Sequence, residues 1–261
     1  MKAFQPKAPR IGQDSAEWKA RVDLAAAHRL AAKANYHSGI ANHLTLAVPG
    51  KPDRYLQIPY GLHWLEVTAS CFMEVDMNTG EILSGEGDVE RSTFCIHAPM
   101  HRLKPEAAAC VMHTHMLYCT TLTRLKNQHF LPIGQNELQF VNSVAYDEDY
   151  QGFAHDPAEG VRLTEILGDK TSLMMANHGV VTIGKTVAEA YNRLYYIERA
   201  AQLQVYAYWT GQPLRHISPE MVDFTIGQQV VPARYNGKSG AENHFEALKR
   251  LLINPETDFR D

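Results

Sequence analysis

No stretch of this chain stays apolar for the ~18 residues that a membrane-spanning helix needs. Nor do residues 1–14, M-K-A-F-Q-P-K-A-P-R-I-G-Q-D, hold the apolar centre of a signal peptide. Cysteine is scarce: four residues in 261, none in C-x-x-C spacing. That excludes a secreted disulfide scaffold and suits free thiols in a reducing compartment, so the expected location is the cytoplasm. Lys and Arg form no run, and the net charge is −4 with a pI near 6.3. There is then no electrostatic case for nucleic acid or an anionic membrane as partner. No G-x-G-x-x-G follows a candidate strand and no P-loop occurs, which removes the dinucleotide and nucleoside-triphosphate readings. Repeats, low-complexity blocks and interdomain linkers are missing as well. Residues 1–261 therefore read as one domain, with a loose arm over residues 1–13 and a polar surface extension over 216–261.

What the chain has in excess is histidine, 13 residues. Two of them, His113 and His115, stand in V-M-H-T-H-M inside an apolar run. In a strand, residues i and i+2 share a face, so two imidazoles meet on one side. A third, His178, sits in A-N-H-G-V-V between two apolar segments, beside a glycine that permits close backbone approach. Three neutral imidazoles make the open three-ligand site typical of catalytic zinc, with manganese or ferrous iron as alternatives. The plain alternative is a set of hydrogen-bonded core histidines.

Around these residues the pattern predicts irregularly alternating elements. Asp14 or Ser15 caps a helix rich in good helix formers that ends near Gly39. Strands follow at 43–47 and 55–59, then a helix-to-strand passage over 61–77 and a hairpin turn at Asn78-Thr79-Gly80 leading to a return strand at 81–83. Ser92 is placed to cap a helix ending before Pro105, and a further helix is expected at 119–125. After a helix over Pro157–Leu167 and strands at 172–176 and 179–183, Thr186 caps the clearest helix of all, closed by Gly211, and a last helix falls near 241–252. Helices and strands mixed with hairpin turns indicate an α/β domain with a mixed or antiparallel sheet, not a doubly wound parallel one.

Five segments together resemble the class II aldolase/adducin family over roughly residues 15–215. They are N-Y-H-S-G-I-A-N-H-L-T at 35–45, P-Y-G-L-H-W-L-E-V-T-A-S at 59–70, R-L-K-P-E-A-A-A-C-V-M-H-T-H at 102–115, V-A-Y-D-E-D-Y-Q-G at 144–152 and A-N-H-G-V-V-T-I-G-K-T-V-A-E-A at 176–190. The resemblance implies a three-layer α/β/α fold with a mainly antiparallel central sheet. It also implies one divalent metal ion per chain (zinc first; manganese, iron or cobalt otherwise) held by His113, His115 and His178, and a homotetramer with its site near a subunit boundary. The implied activity is a lyase reaction, aldol cleavage or decarboxylation through a metal-stabilised enolate, on a small polar carbonyl or carboxylate substrate.

Two departures from the family's aldolases bear on the chemistry. Thr93 stands where those enzymes carry their acid/base glutamate, with Glu90 three residues earlier as the nearest substitute. Arg91-Ser92 replaces the serine pair that holds a substrate phosphate, so the phosphate loop survives only in part, through Asn42, Thr68 and Ser70. We therefore take Glu90 as the candidate acid/base, with Glu66 as a second, and Asn42, Ser70 and Arg91 as candidate substrate contacts, Arg91 as an anion clamp. Gln135 occupies the region of the tyrosine that a neighbouring subunit contributes in the aldolases. Tyr146 and Tyr150 flank the acidic loop, and His43, His63 and His97 fall inside matched motifs as structural histidines. A non-catalytic, adducin-like binding module and a ferrous oxygenase using the same histidines are the competing readings.

Overall fold

The computed structural model describes residues 11–229, 234–253 and 259–261; most of the expected N-terminal arm lies outside them. Ser15 caps the first helix through the Trp18 N–H, and α1 runs Ala16–Lys33. It ends earlier than Gly39, because Asn35 takes a positive φ of 59° and Tyr36 N–H closes on the Ala31 carbonyl. The strands β1 (His43–Ala47), β2 (Arg54–Gln57), β3 (Met73–Asp76) and β4 (Ile82–Ser84) form a meander. Short 3₁₀ turns at Trp64–Glu66 and Ala69–Cys71 take up the chain between β2 and β3. Helix α2 (Arg91–Leu103), strand β5 (Cys110–Thr114), helices α3 (Leu117–Leu122) and α4 (Gln135–Leu138) and strand β6 (Val144–Asp147) follow. The chain then gives α5 (Pro157–Leu167), β7 (Ser172–Met175), β8 (Gly179–Gly184) and α6 (Val187–Trp209). It continues through α7 (Pro219–Gln229), the two-residue strands β9 (Arg234–Tyr235) and β10 (Lys238–Ser239), and α8 (Gly240–Arg250).

Eight strands form one sheet in the order β4-β3-β2-β1-β5-β8-β7-β6. Every pairing in it is antiparallel except β6 with β7, which α5 joins as a crossover. The mainly antiparallel sheet expected above is thus present. Both faces are covered, and the strand alternation shows how: Cys110 and Met112 point into a core shared with α1 and α6, while Val111 points to α2 and α5. For that reason β5 and β8 are buried throughout rather than alternating between buried and exposed residues. The segment after 215 does more than cover the surface, since Phe245, Leu252 and Phe259 enter the α1/α6 core. Helix α7 carried too weak a periodic signal to be foreseen.

Two differences at α2 matter for the site. Its N-cap is Glu90, not Ser92: the Glu90 carboxylate accepts from Thr93 N–H at 2.6 Å, and a charge at a helix N-terminus outcompetes a hydroxyl. Pro99 inside the helix has no N–H to give the Cys95 carbonyl, and Gly160 of α5 packs against that carbonyl. A Cβ at position 160 would lie 2.2 Å from the Cys95 oxygen. Gly160→Ala should therefore lower stability by ~1–3 kcal/mol through overpacking, read as a fall in the urea midpoint; an unchanged midpoint would show that α2 and α5 can separate freely.

Candidate metal centre and its histidine network

Strand β5 carries His113, which pairs in register with His43 of β1 on one side and Val181 of β8 on the other. His115 follows one residue past the strand end. His178 lies in the β7–β8 turn, where Asn177 takes φ 57° and its N–H donates to the Thr123 carbonyl at 2.8 Å. Only glycine fits at 179, because a Cβ there would meet Thr114 O at 2.6 Å and the His115 ring at 2.8 Å. The turn thereby closes tightly over the end of β5 and delivers the third imidazole. Asn42, 3% exposed, braces the other side: its side-chain oxygen accepts from Ser38 N–H at 2.8 Å and His115 N–H at 3.3 Å.

The ligand-type nitrogens of His113, His115 and His178 lie within 4.8 Å of one another. His113 Nδ1 is 3.1 Å from the Val180 carbonyl, which can only accept, so Nδ1 carries the proton. Its bare Nε2 then faces His115 Nε2 at 3.0 Å. Burial, reinforced by the neighbouring imidazoles, pushes the proton affinity of His113 well below the ordinary value and that of His115 to about 4. His178 is lowered as well, by burial. Three neutral rings whose nitrogens converge, one of them oriented by a carbonyl behind it, form a donor set suited to a divalent cation.

A second chain of histidines runs from this centre into the fold. His101 Nδ1 must donate to the Ala108 carbonyl (2.6 Å), which leaves its Nε2 to accept from the Thr45 hydroxyl (2.8 Å). Thr45 Oγ1 in turn accepts from His97 Nδ1 (2.8 Å), and His97 Nε2 accepts from His43 Nδ1 (3.2 Å). One carbonyl thus sets every tautomer along the relay. At its end His43 turns a bare Nε2 toward Ser92 Oγ at 3.2 Å and Glu90 Oε2 at 3.5 Å. Ser92 has one hydroxyl hydrogen for two acceptors, His43 and the Glu90 carboxylate 2.7 Å away, so this corner is short of a proton. Burial lowers His43 and His101 to about 4 and His97 further. Burial also opposes ionisation of Glu90, but His43 and the Ser92 and Thr93 donors outweigh it and hold the carboxyl below its usual value.

The three imidazoles, His43, Glu90 and Ser92 border one cavity of about 350 Å³, together with Tyr60, Arg124, Tyr150 and Phe153. Arg91 and Ser70 do not border it. The Arg91 guanidinium rests on the His155 carbonyl at 2.7 and 3.0 Å, and Ser70 pairs with Thr68 at 3.0 Å in a 3₁₀ turn. Glu66 caps the turn at His63, also outside the cavity. Tyr146 packs on His129, and Gln135 lines a separate, larger hollow of about 800 Å³ that holds no cluster of metal-binding groups among the described residues. Volume alone therefore does not mark the site. Arg124, Tyr60 and Phe153 were not singled out in the sequence, because nothing in their local pattern sets them apart.

Residues 22–205 match the class II aldolase and adducin N-terminal domain. The aldolase II superfamily protein from Pseudomonas syringae is 33% identical, with a TM-score of 0.86 over 97% of this chain and 98% of that one. Alpha-adducin from Rattus norvegicus is 31% identical over 94% of this chain, which spans 34% of adducin's length. L-fuculose 1-phosphate aldolase from Glaciozyma antarctica, 23% identical over 94% of this chain and 95% of its own, shares the fold with a TM-score of 0.78. This chain belongs to the class II aldolase and adducin family.

Two measurements test the network. Thr45→Val would strand His97 Nδ1–H and His101 Nε2 at a cost of ~1–3 kcal/mol per unpaired group. Nitrogen-15 NMR should then show His101 still protonated at Nδ1 and His97 no longer held in one tautomer; an unchanged His97 signature would refute the relay. The second concerns pH. His28 and His101 are held at about 4 by burial, against 6.5 for a free imidazole. The unfolded chain takes up those protons as pH falls through 6.5, the folded chain only near 4. Their stabilisation is full above pH 6.5 and lost between 6.5 and 4. The urea midpoint should accordingly drop between about pH 7 and pH 5; a flat profile would contradict the assignment.

Proposed function

We propose that this chain is a divalent-metal-dependent lyase, cleaving a carbon–carbon bond beside a carbonyl in a small polar carbonyl or carboxylate substrate, by aldol cleavage or decarboxylation. The observation that carries the reading is the convergence of three neutral imidazoles on one cavity. His113, His115 and His178 would hold the ion, zinc being favoured by an all-nitrogen set, with manganese, iron or cobalt as alternatives. When bound, such an ion supplies Lewis-acid stabilisation of charge developing on substrate oxygen.

The chain's own groups supply the rest. Glu90 is the candidate acid/base, with Ser92 and His43 beside it sharing a proton. Thr93 is fully buried and donates its hydroxyl to Glu90 at 2.8 Å, so the family's glutamate position now supports the carboxylate that replaces it. Asn42 fixes the backbone of His115 and acts on substrate through that placement. Four free, buried thiols fit a reducing, cytoplasmic setting. A homotetramer, with one domain per subunit, is part of the same reading.

The likeness to alpha-adducin favours one alternative, a binding module that needs no metal. Elemental analysis after chelator-free purification separates the two. The lyase reading expects about one divalent ion per chain, lost in His113→Ala. Metal well below half an equivalent in the parent protein, unaltered by that substitution, would favour the binding module. Light scattering should give the mass of a tetramer, and a monomer at micromolar concentration would count against an interfacial site.

A further inference from the structure

This cavity is bordered by a cation, Arg124, that no local sequence pattern marks. Arg124 follows the C-cap of α3, and the carbonyl of its neighbour Thr123 accepts from Asn177 N–H at 2.8 Å. That bond fixes the residue beside the turn that carries His178, and Arg124, Asn177 and His178 border the same cavity. Among the described residues no carboxylate lies within ion-pair range of Arg124.

The guanidinium also has its useful edge open. Nη1 donates to the Thr120 carbonyl, and among the described residues Nε and Nη2 meet no acceptor, a parallel pair of donors. In three other arginines this edge is occupied. In Arg91 it grips the His155 carbonyl, in Arg54 the Asp53 carboxylate at 3.1 and 3.1 Å, and in Arg162 the Glu159 carboxylate at 2.8 and 2.7 Å. The Nε/Nη2 edge matches the two oxygens of a planar carboxylate, the strongest geometry a guanidinium offers.

Charge sets the direction. Glu90 touches His43, the His43 ring lies 5.0 Å from His113, and His113 is 4.8 Å from His115. The ionised Glu90 and the Arg124 guanidinium border the same cavity. An anionic group entering it is repelled by the first and drawn to the second.

We propose that Arg124 is the specificity-determining residue of this site, pairing its free Nε/Nη2 edge with a carboxylate on a small substrate whose reacting carbon lies over the three imidazoles. The assignment rests on the cavity being the active site, and about 350 Å³ suits a molecule of modest size. The anion clamp is thus Arg124, just beyond α3, and not Arg91, whose guanidinium is engaged by the His155 carbonyl.

Malonate and inorganic phosphate, titrated separately into the purified protein by calorimetry, test this. The parent protein and Arg91→Gln should bind malonate alike, Arg124→Gln should bind it at least about tenfold more weakly, and Arg124→Lys should fall between, keeping the charge without the fork. The tenfold loss should persist when Arg124→Gln is made in a His113→Ala background. Malonate binding that survives Arg124→Gln, or that is absent from the parent, overturns the proposal. Phosphate bound more tightly than malonate through Arg124 overturns the carboxylate assignment. If binding fails only in His113→Ala, the imidazoles hold the anion and the Arg124 proposal falls while the metal reading stands. If Arg124→Gln alone weakens binding and no metal is found, the reverse holds.

Discussion

The close approach of the β7–β8 turn to the end of β5 is the constraint on which the site depends. Two strands paired antiparallel bring the carbonyls of one against the ring of the other, so Val180 can orient His113. The turn must then pass over Thr114 and His115 without a side chain, which is why Gly179 follows His178. Asn177 supplies the positive φ and ties the turn to the end of α3. A bulkier residue at either point would hold the third imidazole away from the other two. The pairing of β1 with the opposite edge of β5 uses the same rule to bring His43 to His113.

Burial converts these contacts into chemistry. Six histidines lie in two connected groups, four of them buried, and a charged imidazole is costly there. Neutral rings follow, and each neutral ring has one donor and one acceptor nitrogen. In such a medium a single backbone carbonyl, that of Ala108, is enough to fix the hydrogen direction through His101, Thr45, His97 and His43. The fold therefore presents a bare nitrogen beside Glu90, and the helix N-terminus beneath Glu90 favours that carboxylate in its charged form.

Much of this was legible beforehand, for identifiable reasons. H-T-H in an apolar run carries the two-residue period of a strand, and N-H-G carries the turn chemistry of a positive φ followed by glycine. Helix α6 declared itself through its Thr186 cap and length, and ended as expected with Gly211 at φ 64° just beyond. The cap of α2 was misplaced because hydroxyl and carboxylate both cap, and only the bonds to Thr93 decide between Ser92 and Glu90. Arg91 and Arg124 look alike in sequence. One has its fork committed to a carbonyl, and the other does not.

The sequence by itself determined the family, the mainly antiparallel α/β architecture and the three histidines that meet, because each depends on local periodicity or on motifs in a fixed order. The tertiary structure decided which polar groups share the cavity, the proton direction along the histidine relay, and which arginine borders the site. Those properties belong to side chains brought together from segments more than a hundred residues apart, such as those of His43 and His178. Their hydrogen-bonding capacity is shared out only once the sheet, its covering helices and the loops at its end have closed around them.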